Sequence, residues 1–211
     1  AYEFTFNGTS QGGATSKTLY AIFKQKTQPQ PGEDGEYYIS NLGNGKYLNG
    51  TPSATQNAAK LSFSSTKQVW NIESLNSSTT DLIRITTTKD NVTSNLYQGQ
   101  YTSGNYYFKL YNRPTDNTEK YNVYLYEIKA EDINKTEITA TRVTVPTAGN
   151  YYFIGSKNNA SGSTVNIMGN TTQSTNFLSK SNVGSESSKK ITVNVSNIKN
   201  YIYKFEAAGS T

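Results

Sequence analysis

Cysteine and histidine are both absent from this chain of 211 residues. Without cysteine there are no disulfide bridges and no thiolate nucleophile. Without histidine the chain lacks the commonest general base and the commonest metal ligand of proteins. Carboxylates and lysines remain as the available bases, but the adjacent acidic pairs Glu33-Asp34 and Glu131-Asp132 both fall in predicted linkers. We therefore expect a protein that is not an enzyme, with no cofactor and no metal site.

Long apolar runs and dense charge are missing as well. No apolar run approaches the roughly 18 residues of a membrane-spanning helix, so we expect no membrane insertion. The net charge of +5 arises from 20 basic and 15 acidic residues. The basic residues are scattered, and Lys189-Lys190 is the nearest thing to a cluster. Because nucleic-acid-binding surfaces concentrate Lys and Arg in runs or on one face, we expect no specific nucleic-acid partner.

Tyrosine is abundant in the chain, with 17 residues, and there are 16 glycines. Tyrosine, threonine and β-branched residues favour strands, whereas asparagine, glycine and serine favour turns. The tyrosines also supply large apolar rings that keep a hydroxyl group in water. The composition predicts a folded, all-β protein with little or no helix.

Residues 36–128 form the segment with the densest strand pattern. Its first two strands flank Asn44-Gly45, a pair that supplies the positive φ required by a hairpin turn. Trp70, the single tryptophan of the chain, is expected in the core because it stands between apolar neighbours. The segment is predicted to form a β-barrel or trefoil-like module.

The last strand of this segment, YNVYLYEI, is apolar on both faces. Val123 and Leu125 share one face, while Tyr124 and Tyr126 share the other. This pattern predicts a strand that is buried on two sides or that closes a barrel.

The order of the motifs GKYL, QVWNI, LYQ, YFKLYN and VYLYE resembles the ricin-type β-trefoil and the small all-β modules appended to secreted proteins of gut bacteria. The resemblance implies a compact binding module. The QVW motif occurs once here, whereas the family repeats it in each of three leaves. Asn41 stands where the family has a sugar-binding aspartate, so the galactose site of ricin-type modules is not expected to carry over.

The N-terminal part is predicted to be a hairpin, residues 1–24, followed by a linker, residues 25–35. The segment TLYAIF, residues 18–23, resembles the closing strand of the internalin-B-type (Listeria–Bacteroides) repeat of bacterial surface proteins. The resemblance implies the tail of an upstream repeat in an exported multidomain protein. The linker is expected because QKTQPQPGEDG contains two prolines and no apolar residue.

Residues 129–211 contain about six further strand patterns, separated by Asn-, Ser- and Gly-rich loops. One interpretation is a separate β-sandwich module, similar in pattern to bacterial immunoglobulin-like spacers. The other treats residues 150–207 as the third leaf of a single trefoil. We favour the sandwich, because the strand ITATRVTV has no place in a three-leaf repeat.

A tyrosine-rich stretch between residues 97 and 107 is the best candidate for a binding site. Carbohydrate sites in β modules stack flat rings on sugars and hold the hydroxyl groups with amides. The predicted ligand-binding residues are Gln100, Tyr101, Asn105 and Tyr106. We also expect half or more of the rings in this stretch to pack across strands instead of contacting a ligand.

The sequence therefore predicts a non-catalytic carbohydrate-binding or adhesion module of an exported bacterial multidomain protein. We expect it to be a monomer located extracellularly, at the cell surface or secreted, with glycans or cell-wall polymers as partners. The alternative is a structural spacer or stalk domain with no ligand of its own.

Overall fold

The structure, a computed structural model, describes residues 3–6, 17–20, 34–55, 58–75, 81–102, 105–112, 122–157 and 164–209. Short 3-10 helices span Ala130–Asp132 and Ile198–Tyr201. The strands of the described residues are β1 (Glu3–Phe6), β2 (Lys17–Tyr20), β3 (Gly35–Asn41), β4 (Tyr47–Thr51), β5 (Lys60–Ser64), β6 (Trp70–Ser74), β7 (Ile83–Lys89), β8 (Val92–Thr102), β9 (Asn105–Tyr111), β10 (Tyr124–Ile128), β11 (Ile138–Val143), β12 (Tyr151–Lys157), β13 (Thr164–Ser174), β14 (Phe177–Ser185), β15 (Lys190–Val193) and β16 (Tyr203–Ala207).

Strand β3 shows how the local pattern becomes structure. Tyr37 and Ile39 are buried, and Tyr38 between them is half-buried on the opposite face. The predicted Asn-Gly turn follows, with Gly45 at φ 64° and its N–H donating to the carbonyl of Asn41 at 2.9 Å. Because residues with a Cβ resist this left-handed conformation, the glycine determines where the chain reverses into β4.

Nine strands close into a barrel. Antiparallel pairing runs in the order β12, β13, β14, β9, β8, β7, β6, β3, β16 and returns to β12. The closing strand is β16, in which Tyr203 pairs with Asn41 of β3 on one side and with Tyr152 of β12 on the other. A sheet closed in this way leaves no free edge around the ring.

Additional strands extend the barrel at two places. One edge of β3 pairs with β6 and then with β4, and β4 pairs with β5. On β12, the edge that does not face β13 and β16 pairs with β10, which leads on to β11 and β15. β1 and β2 form a separate antiparallel pair.

Strand β10 lies between two hydrophobic cores. Leu125, with Val123 just before the strand, belongs to the larger core, which also holds Trp70. Tyr124 and Tyr126 belong to the second core. The prediction of a strand buried on two sides is confirmed.

Trp70 is in the core, as predicted. It is fully buried, and its indole N–H donates to the carbonyl oxygen of Leu48 at 2.9 Å. A buried tryptophan needs such a partner, because an unsatisfied N–H is costly away from water.

The all-β prediction is confirmed, whereas the finer architecture differs from it. The prediction was a β-barrel or trefoil-like module followed by a β-sandwich, and the structure has a nine-stranded closed barrel with extra strands that is neither specifically a trefoil nor a sandwich. The reason is long-range pairing: β16 and β12, from residues 129–211, complete a ring that β3 begins. The domain boundaries remain predictions, and most of the predicted linker, residues 25–33, lies outside the described residues.

Candidate functional site

The predicted binding residues lie at the tip of the β8–β9 hairpin. Gln100 pairs directly with Tyr106, and Thr102 pairs with Asn105. Gln100 and Asn105 are exposed, and Tyr106 is half-buried. The structure therefore brings three of the four residues together at one hairpin end. Tyr101 belongs to β8, but its side chain lies outside the described part of the structure.

Several rings of the same stretch pack against protein, as expected for cross-strand aromatic residues. Tyr97 and Tyr111 are buried together, with ring centroids 5.1 Å apart. The ammonium of Lys180 lies 5.8 Å from the ring centroid of Tyr107. Tyr106 and Tyr107 are both half-buried, and Tyr107 is the one that a lysine ammonium approaches.

A lysine of the hairpin, in β9, is unusually buried. Lys109 is only 6% exposed, and its ammonium lies 4.8 Å from the ring centroid of Phe177. Burial lowers the pKa of Lys109, because removing the charged form from water is unfavourable. The cation–π contact offsets part of that cost.

A polar groove lies elsewhere on the molecule, where three connections between strands meet. Its volume is about 600 Å³. The β3–β4 turn, the turn before β11 and the connection from β15 to β16 form its walls. The groove is lined by Gly43 and by residues 134–136 and 194–200.

Asn41 holds two of these walls together. It is almost fully buried, and its amide nitrogen donates to the carbonyl oxygens of Asn200 and Ile202 at 3.0 and 3.2 Å. Its amide oxygen accepts from the N–H groups of Gly43 and the following residue and from Nδ2 of Asn170 at 2.7 Å. Every hydrogen-bonding position of this amide is thus used inside the protein. Asn41 therefore shapes the groove from behind, with its amide committed to these internal hydrogen bonds.

Gly43 allows the two walls to approach closely. A Cβ at this position would lie 2.9 Å from the backbone nitrogen of Asn200, too close for any real side chain. The glycine is needed here for space, since it lets the β3–β4 turn lie against the 198–201 helix.

The groove presents amide, hydroxyl and ammonium groups to solvent. Asn134, Asn194 and Asn197 are exposed, and Nδ2 of Asn194 lies 3.3 Å from Oε2 of Glu137. Asn197 has a φ of 54°, a left-handed conformation that asparagine tolerates better than most residues. An amide carries both a donor and an acceptor, so a row of amides can bind hydroxyl groups, which also do both.

The sequence did not predict this groove. Its lining comes from three segments that are far apart along the chain, whereas the tyrosine-rich pattern indicates only the β8–β9 hairpin. The available signals were the density of asparagine in NVSNIKN, residues 194–200, and the ricin-type position of Asn41.

No protein-family model matches the chain, and neither does any curated protein sequence. A solved structure described as the binding domain of Botulinum neurotoxin DC in complex with rat synaptotagmin II is similar, at 13% sequence identity and a TM-score of 0.41. The match covers 87% of this chain and 47% of that one, so this chain spans about half of its length. A likeness this weak supports no inference about function. Within the described residues, no helix is long and apolar enough to span a membrane.

Proposed function

We propose that this chain is a non-catalytic carbohydrate-binding or adhesion module. The observation that carries the proposal is the groove of about 600 Å³, whose exposed lining combines amide, hydroxyl and ammonium groups. Its volume falls within the range of small-ligand sites, roughly 300–1,000 Å³. A polyhydroxylated ligand such as an oligosaccharide has the hydrogen-bonding chemistry that these walls match.

Rigidity of the walls supports the same proposal. Asn41, Asn170 and Asn200 are joined by side-chain hydrogen bonds behind the groove. A site that is already ordered loses less conformational entropy on binding. The groove is therefore better suited to a polyhydroxylated ligand than an equally polar but unanchored loop would be.

The β8–β9 hairpin offers a second contact surface for the same ligand class. Gln100 and Tyr106 are paired side by side, and we propose that they act together with Tyr101 and Asn105. A ring can stack on the apolar face of a sugar while an amide holds a hydroxyl group. An extended glycan or cell-wall polymer is the partner class that could engage both surfaces.

The setting that we propose is an exported bacterial multidomain protein acting outside the cell. Its support is the resemblance of TLYAIF, residues 18–23, to internalin-B-type repeats and of residues 36–128 to modules of gut-bacterial secreted proteins. In that setting the module would target its parent protein to a glycan surface.

Glycan-array screening followed by calorimetry of the best hit tests the proposal. Asn134→Ala combined with Asn197→Gly should weaken binding about tenfold or more, since two hydrogen bonds worth ~1 kcal/mol each are lost. Glycine is chosen at position 197 because it keeps the positive φ without strain. Asn71→Ala, on an exposed face of β6, is the matched control and should bind normally.

The hairpin is tested separately by Tyr101→Ala combined with Tyr106→Ala. Loss of binding in this variant alone would place the site at the hairpin and not in the groove. An array without signal for the wild-type protein would favour the spacer. Hydrolysis of any glycan by the chain would contradict both interpretations.

A further inference from the structure

Two tyrosines and a glutamate form a three-walled cage on the outer face of the barrel. Tyr38 lies on β3, Tyr47 on β4 and Glu206 on β16, and these strands are neighbours. The two ring centroids are 6.5 Å apart, with an angle of 76° between the ring planes. The Tyr47 hydroxyl lies 3.4 Å from Oε2 of Glu206, which fixes the corner of the cage.

An ammonium group of the chain occupies the cage. Nζ of Lys67 lies 4.9 Å from the ring centroid of Tyr38 and 5.2 Å from that of Tyr47. It also lies 3.5 Å from Oε2 of Glu206. The faces of aromatic rings attract cations through the ring quadrupole, and a carboxylate adds charge attraction. The geometry therefore recognises an ammonium.

Lys67 is a loosely held occupant. Its side chain is 48% exposed, and it lies between β5 and β6, outside any strand. Exposed ion pairs of this kind contribute little to stability, so moving the ammonium into water costs little.

The loop that carries Lys67 is anchored independently of the cage. The amide of Gln68 accepts from the N–H of Gly50 and donates to its carbonyl oxygen, both at 2.8 Å. It also donates to Oγ1 of Thr87 at 2.7 Å. The Lys67 side chain can therefore leave the cage while the backbone around it stays in place.

We propose that the Tyr38–Tyr47–Glu206 cage is a binding site for a quaternary ammonium group, and that Lys67 is an internal competitor which such a ligand displaces. A quaternary ammonium has no N–H donors, so it depends on ring faces and net charge. The cage offers both ring faces and charge. The oxygens of Glu206 already contact Tyr47 and Lys204, whose Nζ lies 3.4 Å from Oε1, so the carboxylate attracts a ligand through its charge and does not require an N–H donor from it.

Competition makes a directional prediction about affinity. If Lys67 fills the cage for about nine-tenths of the time, it raises the apparent dissociation constant of another cation about tenfold. Removing the lysine side chain should therefore tighten binding, although it removes a contact seen in the structure.

The test is a titration with tetramethylammonium chloride, followed by NMR of the Tyr38 and Tyr47 ring signals, with sodium chloride at matched ionic strength as the blank. Lys67→Ala should bind about tenfold tighter than wild type. Lys60→Ala, an exposed lysine of β5, should behave as wild type. Propylammonium chloride should bind more weakly than the quaternary ion.

Removal of the walls completes the test. Tyr38→Leu and Tyr47→Leu, each in the Lys67→Ala background, should abolish saturable shifts. Two separate variants are used so that a folding defect in one still leaves the other informative. Equal affinities of Lys67→Ala and wild type, shifts that never saturate, or binding that survives loss of either ring would each overturn the proposal.

Discussion

At the residue scale, Arg142 joins two carboxylates from distant parts of the chain. Its Nε lies 3.1 Å from Asp81 Oδ2, and its Nη1 lies 3.3 Å from Glu186 Oε2. Lys189 also contacts Asp81 at 2.7 Å, and Lys157 contacts Glu186 at 3.2 Å. The planar guanidinium suits this bridging, since its donors point in fixed directions. The cluster connects β11 and β12 to the segments that precede β7 and β15.

The stability of this cluster should depend on pH through Asp81. Hydrogen bonding by Lys189, and then the charge of Arg142, hold the pKa of Asp81 below its ordinary value. With a folded pKa below the unfolded one, Asp81 stabilises the fold above about pH 4. That contribution is lost as the pH falls through the lower folded value. Asp81→Asn should lower the free energy of unfolding by about 1–2 kcal/mol at pH 6.

Urea unfolding at several pH values measures this effect. The difference between wild type and Asp81→Asn should shrink as the pH falls from about 4 towards 2. Asp90→Asn is the control, because Asp90 is exposed in a turn at φ 51°, which asparagine accepts. A difference that stays constant down to the lowest pH would show that charge on Asp81 is not the cause.

At the element scale, β4 lies directly over the indole of Trp70 because of one glycine. A Cβ on Gly50 would lie 2.8 Å from Cδ1 of Leu110 and 2.9 Å from both the Trp70 ring and Cγ2 of Thr87. These distances are shorter than real side-chain contacts, so the close approach requires a residue without a side chain.

Gly50→Ala should therefore destabilise the protein by overpacking, by about 1–3 kcal/mol. The second substitution Leu110→Val removes the Cδ1 atom of the closest contact. It should cost less stability in the Gly50→Ala background than in wild type. Thermal and urea unfolding of the four proteins in this cycle give the coupling between the two sites. Additive losses would mean that the two side chains do not compete for space.

Turns and strands could be predicted from the sequence where the signal is local. The Asn-Gly turn before β4 and the two-sided burial of β10 follow from a few neighbouring residues, and both are confirmed. A local pattern of amides and rings also led to Gln100 and Tyr106 as predicted binding residues; the structure pairs them across β8 and β9, and their binding role stays a prediction. The role of Asn41 could not be predicted, because its partners Asn170 and Asn200 are remote in sequence.

At the scale of the whole molecule, the decisive contacts join the two halves of the chain. β16 pairs with β3, and β14 pairs with β9. The groove depends on the same closure, since the β3–β4 turn and residues 194–200 both line it. Patterns of alternation determine which residues are buried, but they do not state which strands become neighbours. For that reason the strands could be predicted and the ring could not.

Ring closure leads to a prediction about folding. Residues 34–128 expressed alone would leave β3 without β16 and β9 without β14, and each would expose an unpaired edge. We expect this piece to lack a dispersed amide NMR spectrum and a cooperative thermal transition, whereas residues 34–209 should show both. Co-expression with residues 129–209 should restore the barrel, because the missing neighbours return as separate chains. A cooperative transition of residues 34–128 alone would instead support an independent module ending at residue 128.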